Sequence, residues 1–185
     1  MLNKKNNDKH YIRRYPSPLG EITIASDGSS LTGLWFDGEK YDRDGLLPEY
    51  EEKSVPVLAD TVRWLDQYFA GKEPDFTPPL APGGSPFRQE VAELMLEIPY
   101  GATTTYGELA RRLAEKRQIP KMSSRAVGGA VGRNPISLII PCHRVVGSDG
   151  SLTGYGGGLD RKIALLKLEH VDLSGFYRPK RGTAL

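Results

Sequence analysis

The sequence predicts an α+β chain in two units, a small α/β scaffold over residues 1–84 and a mainly helical unit over residues 85–185. Three observations predict it. Two runs of strand character flank Asp27-Gly28, a Pro/Gly-rich stretch runs from Gly71 to Ser85, and three helix starts then follow at Ser85, Thr105 and Ser123.

In the first unit, Glu21-Ile22-Thr23-Ile24-Ala25 alternates with period two, Asp27-Gly28 turns the chain, and Leu31-Thr32-Gly33-Leu34-Trp35-Phe36 returns. Residues 57–69 then carry Leu58, Val62, Leu65 and Phe69 at helical spacing, with Gly71 just past the end. No chemistry is legible in this unit. In the second unit, Ser85 can cap and Pro86 suits a first turn, with Phe87, Val91, Leu94, Met95 and Ile98 on one face. Pro99-Tyr100-Gly101 stops that helix. Thr105-Tyr106-Gly107-Glu108 has the capping-box pattern and starts a second helix. After a break at residues 119–122, Ser123 can cap a short third helix over residues 124–132, and the pair reads as a helix-turn-helix. A final helix is expected over residues 160–169.

A 38% hydrophobic, 26% charged chain is the composition of a soluble globular protein. One cysteine and three histidines exclude a disulfide framework and a cysteine-rich zinc site, which fits a reducing, cytoplasmic compartment. No apolar run reaches membrane-span length, and Met1-Leu2-Asn3-Lys4-Lys5-Asn6-Asn7 reads as a polar tail without a secretion signal. Charge is unevenly placed. Residues 1–85 hold 10 Lys/Arg against 14 Asp/Glu, whereas residues 86–185 hold 15 against 9, so the second unit is the one suited to a polyanion. Eight cations lie between Tyr106 and Val146, and a solvated helix face is the alternative reading.

The lone thiol, Cys142, follows an apolar run of buried-strand character (Ile136 to Ile140) and Pro141, and it precedes His143 and Arg144. A thiol reacts as its thiolate, which an adjacent base or cationic field can form, so this setting suggests a nucleophile. A buried structural cysteine is the competing reading. The short third helix is odd, because Gly128 and Gly129 each cost about 1 kcal/mol relative to alanine inside a helix. With Ser124, Ala126, Gly128 and Ala130 as its expected surface and Arg125 as its one long cation, it could lie against a narrow groove. Tight packing of small residues against a neighbouring helix would explain it equally well. The loop Leu152-Thr153-Gly154-Tyr155-Gly156-Gly157-Gly158-Leu159 lacks the Lys-Ser/Thr of a phosphate cradle and could wrap a flat ligand instead. Glu169 stands at a helix C-terminus, where a negative charge is disfavoured unless a cation such as His143 meets it.

Taken together these segments resemble the O6-alkylguanine-DNA alkyltransferase family. The resemblance rests on Ser85-Pro86-Phe87, Ile98-Pro99-Tyr100-Gly101, Arg125-Ala126-Val127-Gly128-Gly129-Ala130, Arg133-Asn134-Pro135, Ile140-Pro141-Cys142-His143-Arg144-Val145-Val146 and Gly154-Tyr155-Gly156-Gly157-Gly158-Leu159. It also takes in Ser17-Pro18-Leu19-Gly20 and covers nearly the whole chain. It implies a ribonuclease-H-like first domain and a helical second domain with a winged helix-turn-helix-like motif. The partner implied is double-stranded DNA, bound through its minor groove by a monomer that flips the damaged nucleotide out. The activity implied is single-turnover transfer of an alkyl group from O6-alkylguanine, and also from O4-methylthymine, without a cofactor.

Position by position, the resemblance makes Cys142 the acceptor, His143 its base through a water, and Glu169 the residue orienting His143. It gives Asn134 the bracing of the Cys142 turn and Tyr106 the donation of a proton to the leaving guanine. Arg125 would fill the gap left by the flipped base, beside Ser124, Ala126, Gly128 and Tyr106 against the DNA. Main-chain groups of Cys142, Val145, Tyr155 and Gly156 would line the base pocket. No cysteine stands where some members hold zinc in the first domain, so no metal is expected. Gly156 replaces a serine found in some members. Non-catalytic relatives carry tryptophan at the place of Cys142. A lesion-binding module, a multiple-turnover Cys-His hydrolase and a sequence-specific regulator are the alternatives.

Overall fold

The computed structural model describes residues 9–180; the polar tail expected over residues 1–7 lies outside them. The first half is a four-stranded sheet in the order β3-β2-β1-β4, with β1 at His10–Ser17, β2 at Gly20–Ser26, β3 at Leu31–Phe36 and β4 at Tyr50–Glu52. The expected hairpin is β2 and β3, paired antiparallel, and β1 joins β2 antiparallel and β4 in parallel. β1 and β4 have no clear sequence signal. Charges and a proline interrupt β1, and β4 is three residues long.

Helix α1, Pro56–Phe69, lays Leu58, Trp64, Leu65 and Tyr68 into the core. The second half contains α2 (Pro86–Leu96), the short strand β5 (Thr104–Thr105), α3 (Tyr106–Lys116), α4 (Ser124–Val131), a 3-10 turn (Cys142–Arg144), β6 (Val145–Val146) and α5 (Leu159–Leu168). Three caps form as the sequence requires: the side chains of Ser85, Thr105 and Ser123 accept from the N–H groups of Arg88, Glu108 and Ala126. Only half of the capping box forms, because the Glu108 carboxylate turns outward to Arg111. Among the described residues no helix is long and apolar enough to cross a membrane.

One continuous apolar core joins the halves, running from Ile22 and Leu34 through Val91 and Leu109 to Ile140 and Leu165. The outer edge of β3 is not left open. Leu34 N–H donates to Pro135 O (2.9 Å) and Ser137 N–H to Leu34 O (2.9 Å), so the segment leading to Cys142 covers that edge. Residues 136–140, expected as a buried strand, are a coil of turns instead, and Leu138 holds φ 70°. The cause is Asn134, whose amide captures backbone groups that a strand would have paired.

Candidate active site

Asn134 shapes the Cys142 loop. Its Oδ1 accepts from Ile136 N–H (3.1 Å), and its Nδ2 donates to Ile140 O (2.7 Å), Ile136 O (3.2 Å) and Cys142 Sγ (3.2 Å). The thiol is buried, and the 3-10 turn places His143 and Arg144 directly after it with both side chains running inward. They meet Glu169, the residue that closes α5. His143 Nε2 lies 2.6 Å from Glu169 Oε1, while Arg144 donates from Nε to Oε2 (2.8 Å) and from Nη2 to Oε1 (3.1 Å).

The cation that compensates Glu169 at its unfavourable helix end is therefore Arg144, not a protonated His143. Burial alone would raise the Glu169 carboxyl. Hydrogen bonds from His143 and Arg144 overcome burial and hold it at about 2. Burial also lowers the affinity of His143 for a proton, against the pull of Glu169. A permanently ionised Glu169 fixes the proton of neutral His143 on Nε2. Nδ1 is left as an acceptor, and it is buried with no protein partner among the described residues.

The expectation that the surroundings of Cys142 ionise it needs correction. Burial dominates and pushes the thiol up to about 11, although the Asn134 amide and the Lys162 ammonium pull it back. The free thiol needs a base. Lys162 is itself fully buried, lowered to about 8 by burial, and donates to Val145 O (2.6 Å) and Thr153 O (2.9 Å). Tyr106 donates its hydroxyl to the same Thr153 carbonyl (3.1 Å). Gly154, at φ 92°, passes so close beneath that hydroxyl that a Cβ would overlap it.

A cavity of about 520 Å³ opens outside these groups, lined in part by Tyr106, Ser124, Arg125, Gly128, Gly129 and Gly156. Ala126 is not on its wall; it is exposed beside the cap, where its N–H meets Ser123. Val145 and Tyr155 lie behind the wall, 0% and 3% exposed, and the Val145 carbonyl is already taken by Lys162. Gly129 has nothing within 4 Å of an added Cβ, so helix packing does not account for it.

The opposite wall comes from the first half, where no chemistry was expected. Lys40 and Tyr41 line the cavity, and Lys40 N–H donates to Gly156 O (3.1 Å). The Arg133 guanidinium lies 4.9 Å from the Tyr41 ring centroid. Tyr68 reaches Glu169 from α1. The basic excess also needs revision: Arg111 pairs with Glu108 and Glu115, Arg112 with Glu97, Lys116 with Glu93 and Arg117 with Glu90. Three of those carboxylates lie on α2 or directly after it, against the basic face of α3, so they are invisible to a count along α3 alone.

Two family models match the chain. Residues 86–171 match the DNA-binding domain of 6-O-methylguanine DNA methyltransferase, and residues 10–82 match the ribonuclease-like domain of the same family. The chain is 44% identical over 162 residues to a methylated-DNA–protein-cysteine methyltransferase of Haemophilus influenzae, covering 87% of each. It belongs to that family. A member from Mycobacterium leprae is 44% identical over 86% of this chain and 92% of its own. The crystal structure of the Mycobacterium tuberculosis O6-methylguanine methyltransferase superposes with a TM-score of 0.71 at 41% identity, covering 86% of this chain and 92% of that one. A structure of the Mycobacterium tuberculosis protein in complex with DNA superposes at 0.69 with 40% identity, covering 87% and 92%. The two-part α+β architecture is that of the family, with the sheet first and the helical DNA-binding part second.

Proposed function

We propose that this protein repairs DNA by direct reversal, moving the alkyl group of O6-alkylguanine, and of O4-methylthymine, onto Cys142 once per molecule. The observation that carries the reading is the buried chain of Asn134, Cys142, His143 and Glu169 behind a cavity faced by a helix-turn-helix. In this reading the division falls between residues 84 and 85, and the protein acts as a monomer on duplex DNA in the bacterial cytoplasm.

The thiol proton passes through a water to His143 Nδ1, which Glu169 keeps unprotonated. Sulfur then attacks the alkyl carbon in line, the S–C bond forms, and the bond from that carbon to the base oxygen breaks with its electron pair going to the base. Tyr106 gives the departing guanine a proton at a ring nitrogen, so guanine leaves neutral, and the proton held on His143 returns to solvent and so to Tyr106. Asn134 and Lys162 favour the thiolate as it forms. No cofactor enters, because the lesion supplies the group that moves.

Reaching the carbon requires the nucleotide to leave the stack, at a cost of a few kcal/mol. In this reading Arg125, exposed at the start of α4, fills the gap. The glycine face of α4 lets its backbone approach the minor groove. Ser124 and Gly128 join that contact, and Gly156 with the main chain of Val145 and Tyr155 shapes the base pocket once DNA is bound.

The test is an O6-methylguanine duplex mixed with a slight molar deficit of protein. One methyl on Cys142 per repaired base, read by mass spectrometry, supports the proposal. More repaired bases than protein molecules, or repair by Cys142→Ala, overturns it. An unmodified Cys142 with intact lesion also overturns it.

A further inference from the structure

We infer that Tyr68, supplied by α1 of the first half, is a positioning residue for alkyl transfer: its hydroxyl holds Glu169 Oε1 against His143 Nε2 and so keeps Nδ1 free to accept a proton. The inference rests on the proposed chemistry of Cys142. Tyr68 is 0% exposed. Its hydroxyl donates to Glu169 Oε1 at 2.7 Å and lies 3.3 Å from His143 Nε2. The ring is clamped by Trp64, stacked at 5.2 Å between centroids, and by the edges of Phe69 and Tyr100. A phenylalanine would fill this space equally well. Burying a hydroxyl is unfavourable unless it is bonded, and the bond it finds here is charge-assisted.

The two Glu169 oxygens are held differently. Oε2 is fixed by Arg144 Nε (2.8 Å) and Gly101 N–H (3.3 Å). Oε1, the oxygen that faces His143, has the more distant Arg144 Nη2 (3.1 Å) and the nearer Tyr68 hydroxyl. Tyr68 is thus the closest non-histidine anchor of the oxygen that sets the His143 tautomer. It is also a neutral donor, since burial and Glu169 keep its phenol far from ionising. It localises Oε1 and draws off part of its charge without adding charge of its own. Removing it exposes His143 to a more basic carboxylate oxygen, which favours the imidazolium. The other groups facing the pair are Arg144 beside Glu169, Lys162 on α5, Tyr155 behind the cavity wall, and Tyr100 with Glu73 near it. All of them persist in a Tyr68→Phe protein.

The experiment is the rate of methyl transfer from an O6-methylguanine duplex as a function of pH, for wild type and Tyr68→Phe. The expected result is transfer about tenfold slower on the plateau, together with an acid limb moved to higher pH. Duplex affinity should stay unchanged. Incorporating 3,5-difluorotyrosine at position 68 makes the hydroxyl a stronger donor and should move the limb the other way, which keeps the proposal testable if Tyr68→Phe fails to fold. Superimposable profiles overturn it. A uniformly slower reaction with the limb in place also overturns it, because loosened packing alone would do that. A wild-type protein that leaves the duplex methylated refutes the reading of the site instead.

Discussion

Replacing Gly129 by alanine separates two explanations of α4 by the sign of two measurements. Gly129 lies inside the helix, and a Cβ built there meets nothing within 4 Å. Alanine is about 1 kcal/mol better than glycine at such a position. In the free protein the substitution is therefore expected to stabilise the fold by roughly 0.5–1 kcal/mol, a rise in Tm of about 2–4 °C per kcal/mol for a chain of this size. Gly128→Ala should act in the same direction, since its Cβ would sit 3.6 Å from the Tyr106 ring, an ordinary contact. On DNA the sign reverses. The added methyl stands on the cavity face where the groove must approach, and duplex affinity should fall about tenfold, or 1.4 kcal/mol. Calorimetry of the free protein and fluorescence anisotropy with duplex at one fixed salt concentration read the two quantities. A Gly129→Ala protein that loses stability would restore the packing explanation. One that binds duplex as well as wild type would refute the argument that these glycines exist for the groove.

Glu39 is buried, and burial raises its carboxyl to about 7 against the Phe36 N–H that favours its charge. A carboxyl with a raised folded pKa stabilises the fold fully below its unfolded value and loses that contribution as pH rises through about 7. Glu39→Gln should thus raise Tm at pH 8.5 and leave it nearly unchanged at pH 4, below the ordinary carboxyl value; a pH-independent difference would refute this. Lys40→Gln and Arg133→Gln should each reduce the slope of log affinity for duplex against log salt by about 0.9, whereas Arg112→Gln, whose partner is Glu97, should leave it unchanged. Asn134→Ala should cost about 1–3 kcal/mol in denaturant titrations, because it strands the Ile136 N–H in the core, while the Ile140 carbonyl keeps the Cys142 N–H. The protein methylated on Cys142 should be less stable than the free-thiol form by about 1–3 kcal/mol from overpacking, and equal melting temperatures before and after reaction would contradict it.

Much of the second half was legible because its signals are local. A serine or threonine before α2, α3 and α4, a proline in the first turn of α2 and apolar residues at helical spacing act within a few residues of one another, and the structure keeps all three starts. The order of Asn134, Cys142, His143 and Glu169 could be read by resemblance, and the structure brings the four together. What misled was also physical. Ile136 to Ile140 looks like a buried strand because every residue but Ser137 is apolar, and nothing local says that Asn134 will take the hydrogen bonds of that run. The cations of α3 looked like a polyanion surface because the carboxylates that meet them come largely from another helix.

The first half was read as scaffold, and the structure adds cavity-lining and site-facing groups to that reading, for a reason that applies to any site closed by two layers. Tyr68 has the helical spacing of a core aromatic, and its ring is one; only the hydroxyl, aimed at a carboxylate 101 residues away, has a chemical partner. Glu39 and Lys40 sit in a turn rich in Asp and Gly, where charge usually means solvent, yet one is buried behind the cavity and the other is bonded to Gly156. Their meaning is fixed by the docking of the 135–137 segment on the edge of β3, which sets where the Cys142 loop stands relative to the sheet. Because that docking is made of backbone hydrogen bonds, no side-chain pattern announces it. The same bonds tie the Cys142 loop to the sheet, so disturbing β3 should displace Cys142 as surely as disturbing Asn134 would.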